Sequence, residues 1–261
     1  PDAKRLMIRA AALIAAGTAV FFFAVLQRPR QIGPLEISLM IAGGLAILSG
    51  VVALIIYAHR AEKQRRASIG IELENAGYVA AMKHDASSRN QAFADVSHLK
   101  QVKYGAKGLQ WSAEGEAGGS RASVLEHQYV VSTGKSHTTV IHTIATCDCP
   151  ASWPVLSLAP ENFLHKVAER LGMHDIKVES EAFNRRWRVS ADSEQFAITL
   201  LGPEIQAWLE SAPIEDTWSI GNGRICRIRR ARVDPDKIAA FAAGPAEFRS
   251  LIAPELDGWV G

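Results

Sequence analysis

Two long apolar runs open the chain, and no later stretch resembles them. Residues 7–26 carry a single charge, Arg9, and residues 37–57 carry none. About 20 apolar residues cover the roughly 30 Å of a bilayer's hydrocarbon as a helix, so both runs predict spans. The connection "QRPRQIGPLE" is short, polar and proline-containing, as a turn between antiparallel spans should be. A cleaved signal peptide fits poorly, because the first run is too long and no A-x-A site lies at a suitable distance. The pattern therefore predicts a transmembrane helical hairpin over residues 1–60.

Basic residues set the expected orientation. Lys4, Arg5 and Arg9 flank the first run, Arg60, Lys63, Arg65 and Arg66 follow the second, and the connection holds only Arg28 and Arg30. The positive-inside rule then places both termini in the cytoplasm. Small residues recur at helical spacing: Ala11, Ala15 and Ala19 in one run, Ala42, Ala46 and Gly50 in the other. Such stripes let helices approach closely, either each other or a partner's helix. No Asp, Glu, Lys or His lies mid-span, which argues for an anchor and against an ion pathway.

Beyond residue 57 the pattern changes. The stretch "AHRAEKQRRASIGIELENAG" predicts a juxtamembrane helix or linker, placed over residues 61–103, whose basic cluster attracts anionic lipid headgroups. From residue 104 the periodicity is that of strands, broken by the turn signals "EAGGS" and "STGKS". "PVLSLAP" predicts a further strand. "PENFLHKVAERLG" predicts a helix with Phe163, Leu164, Val167, Ala168 and Leu171 on one face and Gly172 as its stop. "IKVES" and "RRWRVSA" follow as strands, the second placing Phe183, Trp187 and Val189 opposite Arg186, Arg188 and Ser190.

Asp192 then reads as a helix N-cap with Gln195 three residues on. Phe196, Leu200 and Leu201 give that helix an apolar side, Gly202 ends it, and Pro203 opens a second helix with Ile205, Trp208 and Leu209 on one face. "TWSIGNGRICRIRRARV" predicts a hairpin turning at Gly221, Asn222 and Gly223, and Asp234 and Pro235 open a last helix. The expected fold of residues 104–261 is thus a cytoplasmic α+β domain, a mainly antiparallel sheet with interspersed helices.

The run "FNRRWRVSADSEQFAITLLGPEIQAWLE", followed by "GNGRICRI", resembles the C-terminal part of an uncharacterised bacterial membrane-anchored family. The shared pattern is Phe-Asn, basic residues, aromatic-x-Val, Ser-x-Asp and an apolar Leu-Leu-small-Pro junction, and it covers residues 120–233. The resemblance implies a transmembrane hairpin with a cytoplasmic α+β domain. It implies no activity, and neither "CDCP" nor the arginine-rich last hairpin belongs to the pattern.

Composition narrows the chemistry. The formal charge of +2 gives no general argument for nucleic acid, and the 48% apolar content is unevenly spread, most of its excess lying in the first 57 residues. Three cysteines suit a reducing compartment better than a disulfide framework. Cys147 and Cys149 form a C-x-C with His137 and His142 upstream, a weak zinc signal that Cys226 completes only if the fold brings it near. The plainer reading is small thiols at a strand end.

Arg185, Arg186 and Arg188 on one predicted strand, and Arg224, Arg227, Arg229, Arg230 and Arg232 on the last hairpin, form a basic face if those strands are neighbours. Such a face suits anionic lipid or an acidic partner protein. The alternative is a solvated face neutralised by Glu179, Glu181, Asp192, Glu215, Asp216, Asp234 and Asp236. The chain has no G-x-S-x-G, P-loop, H-E-x-x-H or dinucleotide fingerprint. The expectation is a protein that is not an enzyme and takes no cofactor: an accessory or scaffolding subunit among other membrane-protein subunits, or a free-standing sensor or small-molecule-binding module.

Overall fold

The computed structural model describes residues 2–26, 34–161 and 174–259. The chain divides into two compact units, Pro1–Ser68 and Ile69–Gly261.

In the first unit, helix α1 (Asp2–Leu26) lies against helix α2 (Pro34–Asn75). Glycine makes the approach close. A Cβ on Gly17 would sit 2.7 Å from the Gly43 carbonyl oxygen, and one on Gly50 would sit 3.0 Å from that of Ala10. Early positions of one helix therefore meet late positions of the other, an antiparallel pair. Its stripe on α1 is Ala10, Ile14, Gly17 and Phe21, which Gly43, Ala46 and Gly50 of α2 meet. Ala11, Ala15 and Ala19 are rotated one residue off that stripe and are exposed, as is Ala42. Among the described residues, one helix is long and apolar enough to cross a membrane, over Ile37–Asn75; the apolar part of α1 is the shorter Ala10–Phe21. Most of the expected turn, residues 27–33, falls outside the described residues.

The sheet unit begins at Ile69, well before the residue 104 expected from sequence. Ile69 and Leu73, the last buried residues of α2, are fully enclosed in its core. Residues 76–103 are not a linker. They hold strand β1 (Val79–Ala81), helix α3 (Ala86–Ala94, capped by Asp85) and the buried Val96, Leu99 and Val102.

Among the described residues the remaining strands are β2 (Leu109–Ala117), β3 (Ser120–Ser132), β4 (His137–Asp148), β5 (Leu156–Pro160), β6 (His174–Ile176), β7 (Trp187–Ala191), β8 (Asp216–Gly221) and β9 (Arg224–Arg229). They form one nine-stranded sheet in the order β1-β2-β3-β4-β9-β8-β5-β7-β6, with every pairing antiparallel. The fold is therefore α+β, as the strand periodicity and the Gly221, Asn222, Gly223 turn indicate. All three turn residues adopt positive φ, which glycine and asparagine accept at little cost.

Helices α5 (Glu194–Leu200), α6 (Pro203–Ser211) and α7 (Ile238–Ser250), with the end of α2, supply apolar side chains to the main core. Alternation along the strands sends Val124, Ala145, Cys147 and Ile225 into that core. It sends Leu125, Ile144, Cys226 and Ile228 to a smaller core on the other face, closed by Ala92, Val96, Leu99 and Val102.

Strand β3 outruns its neighbours. Its pairing with β4 continues to Ser132 opposite His137, whereas β2 reaches only His127 and β9 only Thr143. Residues 128–141 thus form a two-stranded ribbon beyond the end of the sheet.

The segment at residues 181–191 departs from the strand expectation. Ser180 accepts from the Phe183 amide and starts helix α4 (Glu181–Arg186), so β7 begins only at Trp187. The Asn184 side chain binds both backbone groups of Val178, at 3.1 and 2.7 Å, which fixes this turn of helix against the preceding segment. Ser193, not Asp192, caps α5 by accepting from Phe196. The helix expected over residues 160–172 lies almost entirely outside the described residues.

Candidate functional site

The arginines do not gather on one face. Strand β7 is separated from β9 by β5 and β8, so the two basic stretches are not neighbours. Their local fates also differ. Asp216 is completely buried, and its carboxylate accepts from Arg227 Nε at 2.7 Å and from Arg229 Nε at 2.6 Å. The Arg227 guanidinium lies 4.7 Å from the Phe241 ring centre and 5.6 Å from that of Trp218; Arg229 lies 5.4 Å from Phe241. A Cβ on Gly244 would come within 2.6 Å of Arg227, so glycine in α7 leaves room for this stack.

Arg227 and Arg229 are therefore part of the fold, not a docking surface. Arg186 donates to the Ala212 carbonyl at 2.8 Å, and Arg188 is half-buried. Arg232 reaches the buried Glu126 at 3.8 Å. Arg185 and Arg230 are exposed and far apart in the sheet order: one lies in the last turn of α4 before β7 and the other follows β9. Arg224 pairs with Asp95 at 2.7 Å and with Asp148, and Arg121 meets Asp95 at 3.4 Å.

Among the described residues, no group of three or more His, Cys, Asp or Glu side chains is placed to hold a metal ion, and the C-x-C has no further ligand beside it. Cys147 is enclosed in the main core and Cys149 packs beside it, while Cys226 points into the smaller core. Burial pushes the Cys147 thiol up to about 12 and that of Cys149 to about 11, so both are protonated at neutral pH. His137 begins β4 at the far end of the ribbon, and His142 lies on the opposite face of β4 from Cys147.

Two other sites emerge that sequence reasoning did not find. The first is the end of the sheet where the ribbon starts. Tyr104 is 70% exposed, in the left-handed region at φ 63°, and its ring lies 5.8 Å from that of Tyr129. Tyr129 stacks on His142 at 5.9 Å, and His127 lies 6.0 Å from Tyr129. His127 Nε2 is 3.1 Å from the Gly105 carbonyl and donates to it, while a Cβ on Gly108 would collide with the His127 ring. Burial, then the Arg230 charge and His127, lowers His142 to about 4; burial also lowers His127. Neither ring carries charge at neutral pH. Lys103, Lys107, Lys135 and Arg230 surround this aromatic base and ribbon, all exposed. The signal in the sequence was an absence: residues 96–113 and 127–147 contain no Asp or Glu.

The second is an open groove of about 590 Å³ between α3 and strands β1 and β2. His84 Nε2 and Ser112 Oγ lie 3.3 Å apart within it, and Glu114 meets Arg121 at 3.3 Å on its side. Burial, followed by the Arg89 charge, lowers the His84 pKa.

No family model matches this chain, and no curated protein does. The resemblance of residues 120–233 to a membrane-anchored family is thus unaccompanied by a family match. One similar solved structure is that of the mycobacterial trehalose monomycolate transport factor A, TtfA. Its TM-score is 0.48 at 9% identity, covering 73% of this chain and 96% of that one. A likeness at that level carries no conclusion about function.

Proposed function

We propose that this chain is a non-catalytic accessory or scaffolding subunit of a larger assembly in a bacterial inner membrane. The observation that carries the reading is the environment of α2. Ile41, Leu45, Leu48 and Ile55 stand 58–63% exposed along an uncharged belt, which is stable only against lipid or another apolar surface. In this reading α1 joins α2 as a transmembrane hairpin, both termini lie in the cytoplasm, and the sheet domain meets other membrane-protein subunits there. The seam of Gly17, Gly43 and Gly50 supports a paired hairpin, because glycine contacts of this kind hold helices together in lipid.

The test is extraction of native membranes in mild detergent, size separation under native conditions, and mass spectrometry of what comigrates. A constant ratio to the subunits of a large complex is the expected result. Migration alone or as a small homo-oligomer would overturn it.

A second reading, a free-standing sensor or small-molecule-binding module, draws on the groove beside α3. Its lining includes the polar side chains His84, Ser88, Gln91 and Ser112 among apolar ones, a mixture that suits a small ligand with a few polar groups. Ligand-dependent thermal stabilisation that His84→Ala abolishes would favour it over the subunit reading.

A further inference from the structure

We infer that the ribbon end of the sheet, with the Tyr104 loop at its base, docks on an anionic phospholipid surface. The inference rests on the membrane-anchored reading and adds to it a second, peripheral contact at a defined place.

Three observations converge. The first is charge. Lys103, Lys107, Lys135 and Arg230 are exposed and none forms an ion pair among the described residues; the two segments that supply the lysines lack acidic residues altogether, while Arg230 comes from the stretch after β9, whose first acids are Asp234 and Asp236. Elsewhere the unit neutralises its cations locally, as Asp95, Asp148 and Asp216 do for Arg224, Arg227 and Arg229. A cationic end left unneutralised is complementary to a surface of negative headgroups, and its attraction falls off within about 10 Å in ordinary salt.

The second is the mixture of side chains. Tyr104 stands 70% exposed with Tyr129 behind it, and Val130, 50% exposed, points to the opposite face of β3 from Tyr129. Tyrosine beside lysine and arginine is the pairing favoured at the boundary of lipid and water, where the ring lies at headgroup level and the charge meets phosphate. The ribbon tip, "STGKS", offers hydroxyls and one lysine and no large apolar group, so it suits the headgroup layer and not the hydrocarbon.

The third is the backbone. Neither outer edge of the ribbon is paired within the sheet, since β2 stops at His127 and β9 at Thr143. Exposed strand edges are usually guarded by charge or proline, yet residues 128–132 and 137–141 contain no Asp, Glu, Lys, Arg or Pro. An edge with hydroxyls and free backbone donors is well matched to phosphate and glycerol oxygens.

The experiment is hydrogen exchange of the full chain in nanodiscs of phosphatidylcholine alone and of phosphatidylcholine with phosphatidylglycerol. Peptides covering residues 100–108 and 128–141 are expected to exchange about tenfold more slowly in the anionic discs. A variant carrying K103E, K107E and K135E, all at exposed positions, is expected to lose that difference while the rest of the sheet exchanges as before. Equal exchange in both lipid compositions would overturn the inference. Protection that appears equally with soluble polyglutamate added to neutral discs would also overturn it, because the site would then be selective for acidic chain and not for lipid. Failure of the chain to enter either disc would instead contradict the anchored reading beneath it.

Discussion

Helix α2 places the same residue types in two opposite settings. Over residues 37–57 many of its large apolar side chains stand open, Leu45 at 61% and Leu48 at 59%; within its last two turns Ile69 and Leu73 are wholly enclosed. The helix is continuous, so propensity does not distinguish the halves. The pattern does. The first half is apolar around its whole circumference, which suits lipid; the second mixes charged and small residues around a buried stripe at Ile69 and Leu73, which suits a core. A long helix can therefore serve two solvents if the stripe narrows where the solvent changes.

Substitutions separate the two settings, since those in the sheet unit should alter its folding and those in the belt should alter membrane retention. The largest effect is expected within the sheet unit. Asp216→Ala leaves Arg227 and Arg229 without their buried partner and should lower stability by about 4 kcal/mol, read by urea denaturation, with no change in membrane retention. Next, Leu73→Ala empties an enclosed position at the buried end of α2 and should lower it by about 3 kcal/mol. Leu48→Arg, in the open belt, should do the reverse: about 2.5 kcal/mol against insertion, read as chain lost from the membrane pellet, with the sheet unit's unfolding unchanged.

A smaller effect belongs to pH. His142 has its folded pKa lowered to about 4, so below about 6.5 the unfolded chain binds a proton that the folded chain does not. The stability this histidine contributes is complete above that pH and declines as pH falls toward 4, by an amount on the order of 2 kcal/mol. His142→Phe should remove that part of the slope between pH 6.5 and 4 while keeping the stack on Tyr129. Smallest of all, Arg230→Ala should change stability by no more than about 0.5 kcal/mol, because its charge has no buried partner.

Much of this architecture is legible in the chain. Strand alternation, turns such as Gly221, Asn222 and Gly223 and the second apolar run act over short distances, and the structure contains the strands, the turn and one helix of span length; the first run gives only the shorter apolar stretch Ala10–Phe21. The start of the sheet unit is not legible in the same way. β1 is only three residues long, and Ala92, Val96 and Leu99 gain their meaning from strands they meet far along the chain. The arginine stretch misled for a similar reason. Alternation correctly separates Arg227 and Arg229 from Arg230, but only the strand order shows that Asp216 waits opposite the first two and that β7 lies too far away to join them. In residues 181–186, a serine cap outweighed an aromatic and arginine-rich stretch that otherwise reads as strand. The site at the ribbon end was marked by missing acids, and a missing charge forms a surface only when folding brings the two acid-free segments together.

The central claim is that α2 holds this chain in a bilayer. Alkaline carbonate extraction of native membranes tests it most directly, because that treatment strips proteins bound by charge and leaves those embedded in hydrocarbon. The account predicts that the full chain remains in the membrane pellet. Release of the chain into the supernatant would contradict it, and the open belt of α2 would then have to be covered by protein.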